Sequence, residues 1–148
     1  MTRINVIAPR RLTDQHLLAE YRELPRVFAL AAKAASVVPV PPDYTLGTGH
    51  VRFFYARTGY LAQRQQTLIQ ELLDRGYNLT HRTAPAPVLG RDADWTPDDV
   101  AGNINLARLR EKLAKVGAKY TYYGKPVGTL FYGLPGPGPE PHAVVDLY

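Results

Sequence analysis

The chain has no cysteine, a single methionine and no long apolar run, and these absences exclude several classes of protein. Without cysteine it cannot form disulfides, thiolate zinc sites, iron–sulfur clusters or a cysteine nucleophile. No apolar run approaches the roughly 20 residues of a transmembrane helix, and the N-terminus lacks the apolar core of a signal peptide. We therefore expect a soluble protein that stays in the cytoplasm.

Motifs of several enzyme classes are missing as well. Gly47-Thr48-Gly49 is not followed by Lys and then Ser or Thr, so this turn is not a phosphate-binding loop. The chain contains no Ser-His-Asp arrangement and no nucleophile elbow. Its four histidines are scattered, without carboxylates at metal-ligand spacing. We therefore expect no bound metal and no cofactor.

The chain does carry an excess of positive charge on a globular composition. Its 148 residues suffice for one domain with a real core, and a hydrophobic content of 45% is normal for folded proteins. The formal net charge is +5 and the pI is near 9.6. Such a balance fits a phosphate-rich partner or an anionic membrane surface.

Apolar periodicity predicts an all-α domain with three main helices and long irregular connections. The first helix begins after a cap at Thr13 or Asp14 and runs to about Ser36. Pro25 removes a backbone donor from its interior, which predicts a kink near Tyr21–Arg22.

The second and third helices have clear start and stop signals. The second begins at Thr58 and stops at Gly76. The third begins at Thr96-Pro97-Asp98-Asp99, with a cap followed by proline and acid, and stops near Gly117. The apolar segment Val51–Tyr55 follows a turn and can be helix or strand.

The two ends of the chain differ from its middle. Residues 1–12 read as an extended arm. Residues 133–148 contain four prolines and three glycines, which predicts a flexible tail. We therefore expect one domain over residues 1–132, followed by the tail.

The first helix separates its side chains by type. The apolar face holds Leu17, Tyr21, Leu24, Phe28, Ala31 and Ala35, and the opposite face holds Gln15, Arg22, Arg26 and Lys33. His16 and Glu23 lie together on the boundary. A polyanion would cover such a basic face, but on periodicity alone the commoner explanation is a solvated face with a weak Glu23–Arg26 pair and a structural histidine.

Two further basic patterns follow near the C-terminus. Arg108, Lys112 and Lys115 recur at i, i+4 and i+7 on the third helix, where they also complement the helix dipole. Aromatic rings alternate with lysines over Lys119–Lys125, either to stack on bases or to clamp the helices. The residues alone thus indicate a basic helical domain and leave its function open.

Runs of residues at matching spacing carry a family resemblance. They are Met1 to Asn5, Asp14 to Leu17, Ala19 to Phe28, Leu46 to Tyr55, Ala107 to Leu109 with Glu111 and Lys112, and Tyr122 to Lys125. In these runs the chain closely resembles the pyrimidine-dimer DNA glycosylase/AP lyases, the phage-type endonuclease V family, over roughly residues 1–127.

The resemblance implies an all-α repair enzyme that cuts the glycosidic bond of an ultraviolet photodimer and then nicks the strand. The nucleophile of the family is the α-amine of a threonine exposed by loss of the initiator Met, here Thr2, and the matching acid is Glu23. His16 is a candidate for assisting proton transfer. The positions that match DNA contacts of the family are Arg3, Gln15, Arg22, Arg26, Arg108 and Lys112.

General chemistry agrees with this choice of nucleophile. An α-amine titrates near 7.7–8.0, so roughly a tenth of it is unprotonated at neutral pH, against a far smaller fraction of a lysine. The implied partner is double-stranded DNA that contains pyrimidine dimers or abasic sites. We expect a monomer at the nucleoid, without cofactor or membrane partner.

The chain departs from the family pattern at two places. The stretch Leu30–Tyr44 is shorter and richer in proline, and Lys119 and Thr121 replace the family's Trp and first Lys before Tyr122. The alternatives are the same imine chemistry on another damaged base, and a non-catalytic DNA-binding protein with the same basic helices.

Overall fold

In a computed structural model that describes residues 3–36, 41–115 and 119–133, nearly all regular structure is helical. The helices are α1 (Asp14–Glu23), α2 (Pro25–Lys33), α3 (His50–Phe53), α4 (Thr58–Asp74) and α5 (Asp99–Leu113). Short 3-10 turns span Pro9–Arg11 and Phe131–Gly133, and strands β1 (Thr121–Tyr122) and β2 (Lys125–Pro126) form an antiparallel hairpin. The all-α prediction is confirmed, with α1 and α2 together replacing the first predicted helix.

The interruption that Pro25 was expected to cause near Tyr21–Arg22 lies at Leu24, whose backbone keeps helical angles (φ −58°, ψ −42°), and the second part of the helix ends at Lys33 instead of Ser36. Because Pro25 has no N–H, the carbonyl of Tyr21 loses its partner four residues on. The buried side chain of Gln65 on α4 takes that place, with its Nε2 donating to the Tyr21 oxygen at 3.1 Å. The side chain of Gln65 on α4 therefore stabilises the interruption that Pro25 causes.

The start of α4 is capped by a loop instead of a side chain. The N–H of Thr58 donates to the carbonyl of Arg91 at 3.0 Å, and that of Tyr60 donates to Ala93 at 3.2 Å. These bonds satisfy two of the unpaired donors at the helix start. Between them, Gly59 packs so close to the Asp92 carbonyl that a Cβ would clash. The predicted span of the second helix is confirmed.

The third predicted helix begins two residues later than expected and ends earlier. Asp98 is its cap, since its carboxylate accepts from the N–H of Ala101 at 2.8 Å, and Pro97 precedes the helix. The stronger carboxylate acceptor displaces Thr96 from this role. The helix ends at Leu113, while the predicted stop at Gly117 lies outside the described residues.

The predicted N-terminal arm is part of the core. Ile4, Ile7 and Leu12 are buried in the same hydrophobic cluster as the apolar residues of α1 and α4. The apolar face predicted for the first helix is buried or half-buried through Ala31, whereas Ala35 lies beyond the helix end and is exposed. In the described residues we find no helix long and apolar enough to span a bilayer. The predicted tail, apart from Gly133, lies outside the described residues.

The hairpin is fixed to the start of α1 by Asp14. One carboxylate oxygen accepts from Thr121 Oγ1 at 2.6 Å and from the N–H of Gly124 at 2.9 Å, and the other accepts from the N–H of Tyr123 at 3.1 Å and from Arg75 at 2.9 Å. Burial alone would raise the pKa of Asp14, but these hydrogen bonds outweigh it and lower the pKa.

Of the tyrosines in the aromatic run, one packs in the core and holds the hairpin to the rest of the domain. Tyr122 is fully buried, and its hydroxyl donates to the carbonyl of Arg10 at 2.6 Å. Tyr120 remains half-exposed beside His16, with their ring centroids 4.6 Å apart. The packing alternative therefore holds for Tyr122, whereas the Tyr120 ring lines an open cleft.

Candidate functional site

An open cleft of about 310 Å³ lies where the N-terminal segment, α1 and α5 meet. Its lining residues follow the helical repeat, at i, i+3, i+4 and i+7 on α1 and at i, i+1 and i+4 on α5, which places them on one face of each helix. The cleft is lined by Arg3 and Asn5 from the N-terminal segment, His16, Ala19, Glu20 and Glu23 from α1, Arg108, Leu109 and Lys112 from α5, and Tyr120 before β1.

The cleft brings together five of the site residues expected from the sequence. They are Arg3, His16, Glu23, Arg108 and Lys112. Arg26 lies at its edge, bonded to Glu23, and Arg22 and Gln15 lie elsewhere. Thr2 is outside the described residues, but Arg3, which follows it, is part of the cleft wall.

Positive charge accumulates along the α5 side of the cleft. Arg108 is the largest influence that lowers the pKa of the Lys112 ammonium, followed by slight burial and Lys115. The pKa of Arg3 is lowered mainly by burial and then by Arg108. Glu111 offsets part of this charge, since it pairs with Arg108 at 3.4 Å. Cations that repel one another in this way favour an anionic ligand.

The two carboxylates of the cleft have different environments. Glu20 is buried, and both its oxygens accept from Arg64, at 2.8 and 3.0 Å, while the Asn5 amide adds a third bond at 3.0 Å. The Glu23 side chain is 37% exposed, and its ion-pair partner Arg26 is 65% exposed, 3.0 Å away. Glu20 is therefore held by structural contacts, and Glu23 is the carboxylate that a ligand can reach.

His16 is held at the back of the cleft by one ring nitrogen. Its Nδ1 lies 2.7 Å from the Tyr132 hydroxyl and 3.0 Å from Thr13 Oγ1. Its Nε2 is buried without a hydrogen-bond partner among the described residues. Burial and then Lys112 lower the pKa of His16 to about 4, so the ring is neutral near pH 7.

The N-terminal segment is anchored by a buried asparagine on α5. Asn105 Oδ1 accepts from the N–H groups of Val6 and Ile7, at 2.8 and 3.3 Å, and its Nδ2 donates to Asn5 at 2.7 Å. Asn5 in turn donates to Glu20. These contacts hold the segment in one register between α1 and α5.

The segment 44–50 anchors the chain one residue nearer the N-terminus. The N–H of Ile4 donates to Nε2 of His50 at 2.8 Å, and the Tyr44 hydroxyl donates to the Ile4 carbonyl at 2.9 Å. Both backbone groups of Ile4 are therefore satisfied by side chains. Arg3 is consequently attached to a fixed residue.

A second cleft of about 470 Å³ opens beside the break between α1 and α2. It is lined by Tyr21, Arg22, Pro25, Gln65, His81, Thr83 and Pro85. The Tyr21 hydroxyl donates to the His81 carbonyl at 2.9 Å, which closes one end of it. The exposed guanidinium of Arg22 belongs to this cleft and not to the first one.

Gln15 has a structural role in this structure. Its amide donates to Thr121 Oγ1 at 3.0 Å and accepts from the Thr121 N–H at 2.8 Å. Both ends of the amide are thus engaged by the hairpin, which positions Tyr120 over His16.

Sequence reasoning missed the buried polar partners of the cleft. Asn5, Glu20, Arg64 and Asn105 sit on different elements, and only Glu20 has a sequence signal, its spacing of three residues from Glu23. Within the described ranges no three His, Asp or Glu side chains converge as metal ligands.

A comparison with known families adds an independent finding. The family model described as pyrimidine dimer DNA glycosylase matches residues 1–84, which is more than half of the chain. The matched range includes α1 and the carboxylate side of the first cleft, whereas α5 with its cations lies beyond it.

Proposed function

The chain belongs to the pyrimidine dimer DNA glycosylase family, and from this premise we propose that it releases photodimers through an imine with the α-amine of Thr2 and then nicks the strand as an AP lyase. The observation that carries the proposal is the cleft itself. A reachable carboxylate, Glu23, faces a row of cations there, and Arg3, the neighbour of Thr2, forms part of the same wall.

The first step is a displacement at C1′ of the damaged nucleotide. After loss of Met1, the unprotonated amine of Thr2 forms a bond to C1′, and the glycosidic bond breaks with its electron pair going to the base. The nitrogen gives up one proton, which the departing base takes up. The C1′–O4′ bond then breaks, its electron pair stays on O4′, which takes up a proton from solvent, and a positively charged iminium remains. Glu23, as a carboxylate, stabilises the positive charge that develops at C1′.

The second step is a β-elimination that cuts the strand. Glu23 removes a proton from C2′, the C–H electron pair forms a double bond to C3′, and the C3′–O bond breaks. Its electrons leave with the 3′ phosphate. Hydrolysis of the conjugated imine then returns the free amine. His16 lines the same cleft as Glu23, and a neutral imidazole there would assist proton transfer.

The cationic side chains bind the phosphates on either side of the reacting sugar. Arg3, Arg108 and Lys112 line the first cleft, and Arg26 lies exposed at its edge. Arg22 reaches the same duplex from the second cleft. Chemistry at C1′ inside a duplex requires a nucleotide to leave the stack, and contacts on both sides of α1 fit a duplex held bent by one monomer.

The second cleft offers room for a base displaced from the helix. It combines the Tyr21 ring, the Arg22 guanidinium and the Gln65 amide around about 470 Å³. An aromatic face and an amide are the groups that hold an unstacked base.

The test is nicking of a duplex that carries one cyclobutane dimer, combined with borohydride trapping and peptide mapping. The proposal expects strand cleavage and a reduced adduct on the N-terminal peptide that begins with Thr2. Lys112 is the internal control, because it is a second amine in the cleft and repulsion from Arg108 lowers its pKa.

Three other results would each contradict the proposal. An adduct that maps to Lys112 assigns a different nucleophile. Cleavage only of another damaged base keeps the chemistry and changes the substrate. Binding without cleavage or adduct, or a mature chain that retains Met1, indicates a non-catalytic DNA-binding protein.

A further inference from the structure

His50 is a buried ring that joins two distant backbone segments. The Ile4 N–H donates to its Nε2 at 2.8 Å, and its Nδ1 lies 2.8 Å from the carbonyl oxygen of Thr45. A nitrogen that accepts from an N–H carries no proton, and a nitrogen facing a carbonyl must donate one. The two partners therefore fix a single neutral tautomer, protonated at Nδ1.

We propose that His50 is a positioning residue: its neutral ring holds the Ile4 backbone and thereby sets where the chain approaches the cleft wall at Arg3. This inference rests on the proposed function, because the position of the chain at Ile4 matters for catalysis only if the Thr2 amine is the nucleophile. His50 does not line the cleft and touches no reacting atom.

The local sequence explains how the ring reaches Ile4. Gly49 adopts a left-handed conformation, with φ of 92°, and turns the chain so that His50 begins α3 inside the core. A side chain with a Cβ is strained at that φ. The ring also packs edge-on against Tyr44 and Phe54, with centroids 5.4 and 5.7 Å away. Its orientation is therefore set by packing as well as by hydrogen bonds.

The hydrogen bonds that join His50 and Tyr44 to the Ile4 backbone form a clamp, and this clamp is the attachment nearest the N-terminus in the described residues. Asn105 holds Val6 and Ile7, whereas His50 and Tyr44 hold Ile4, two residues from Thr2. Placing a nucleophile within bonding distance contributes several orders of magnitude to rate, and a displacement of about 1 Å can cost a hundredfold. Loss of the Ile4 bond should therefore reduce the chemical step more than DNA binding.

The clamp also makes positioning depend on pH. Burial lowers the pKa of His50, and Arg3 lowers it further, although the bond to Thr45 opposes both. The titratable and charged groups that face the ring are Arg3 and Tyr44, and burial keeps the Tyr44 hydroxyl protonated. When His50 takes up a proton at Nε2, it can no longer accept from Ile4 and the clamp opens.

The experiment compares His50→Gln with His50→Asn on a duplex that contains one abasic site. A glutamine amide reaches the position of Nε2 and supplies an acceptor for Ile4, whereas an asparagine amide reaches only the position of Nδ1. We expect kcat of H50N to fall about tenfold to a hundredfold with KM nearly unchanged, and H50Q to recover most of that loss. Thermal unfolding defines a temperature at which both variants are folded.

A second readout needs no DNA. The amide resonance of Ile4 in the full-length protein should titrate with the His50 ring in the wild type, and this titration should be absent in H50Q, because glutamine carries no ionisable proton. If H50N does not fold, the positioning role is tested by the kcat of H50Q, which should lie near the wild-type value, and by the titration of the Ile4 resonance.

The outcomes separate this inference from the proposed function. If the wild type forms no adduct at its N-terminus, the proposed function fails and the positioning role fails with it. If the wild type forms that adduct while H50N reacts at the same rate, only the positioning role is overturned. An Ile4 resonance that does not follow the His50 titration also overturns it.

Discussion

Arg64 binds both carboxylate oxygens of Glu20, at 2.8 and 3.0 Å, in a pair whose side chains are 5% and 0% exposed. The same guanidinium donates to the Ile7 carbonyl, so the pair also supports the N-terminal segment. Three residues along α1, Glu23 meets its own arginine in a partly exposed pair. One helix thus presents a buried, paired carboxylate and a partly exposed carboxylate to the same cleft.

The first prediction concerns the buried pair. Glu20→Gln leaves Arg64 buried with an uncompensated charge, which should lower the free energy of unfolding by about 3–5 kcal/mol. Glu23→Gln weakens a partly exposed pair and should cost less than about 1 kcal/mol. Urea unfolding of both variants measures the contrast. Equal losses in the two variants would contradict the assigned roles.

The second prediction concerns catalysis by Glu23. Glu23→Gln should keep DNA affinity and lose strand cleavage by at least about a hundredfold, because the amide can neither accept the C2′ proton nor stabilise positive charge as well. Glu111→Gln is the matched control, since Glu111 is also exposed and also pairs with an arginine three residues away. Single-turnover nicking with saturating enzyme separates cleavage from binding. Normal cleavage by E23Q would rule out the role of Glu23.

Much of the fold follows from local signals in the sequence. A cap at Thr13 or Asp14, the span of α4 and the buried face of α1 were all expected from capping chemistry and periodicity, and the structure confirms them with Thr13 as the cap. One of the errors occurs where a distant group decides. The break at Leu24 depends partly on Gln65, which lies on another helix and has no sequence signal of its own.

The site was predictable only in part, for the same reason. The boundary position of His16 and Glu23 on α1 follows from helical spacing, and both residues line the cleft. Their separation from Gln15 depends on a contact with Thr121, which is 106 residues away. Buried partners such as Arg64 and Asn105 satisfy groups on other elements, so only the folded chain reveals them.

The third prediction concerns phosphate binding by α5. Lys112→Gln should weaken binding to undamaged duplex DNA and reduce the slope of log affinity against log salt concentration by about one, because one fewer counterion is released. Lys112→Arg keeps the charge and is the control for side-chain loss. Fluorescence anisotropy over a salt series measures both slopes. A slope in K112Q equal to that of the wild type would remove Lys112 from the DNA interface.

The fourth prediction follows from the neutral state of His16. Its pKa is lowered to about 4 in the folded protein, against 6.5 for an ordinary histidine, by burial and then by Lys112. Between these values the unfolded chain binds a proton that the folded chain does not, so stability falls as pH drops from about 6.5 to 4 and levels off below. The loss is at most about 3 kcal/mol.

His16→Gln tests this titration, because glutamine cannot take up the proton. The stability curve of H16Q against pH should be flatter than that of the wild type within that window, whatever constant offset the lost Tyr132 contact adds. Other acidic and basic groups titrate in both proteins and cancel in the difference. Urea unfolding at several pH values gives both curves, and parallel curves would show that His16 is not buried as a neutral ring.

The last prediction uses a matched pair of helical glycines. At Gly59 a Cβ would overlap the carbonyl oxygen of Asp92, so Gly59→Ala must push away the loop that caps α4. At Gly102 on α5 a Cβ meets nothing within 4 Å. Gly102→Ala should therefore raise the free energy of unfolding by up to about 1 kcal/mol, since alanine is the better helix former. Gly59→Ala should lower it by about 1–3 kcal/mol, because a backbone oxygen cannot yield as a side chain does. Thermal unfolding measures the two shifts, which must have opposite signs if the loop caps the helix.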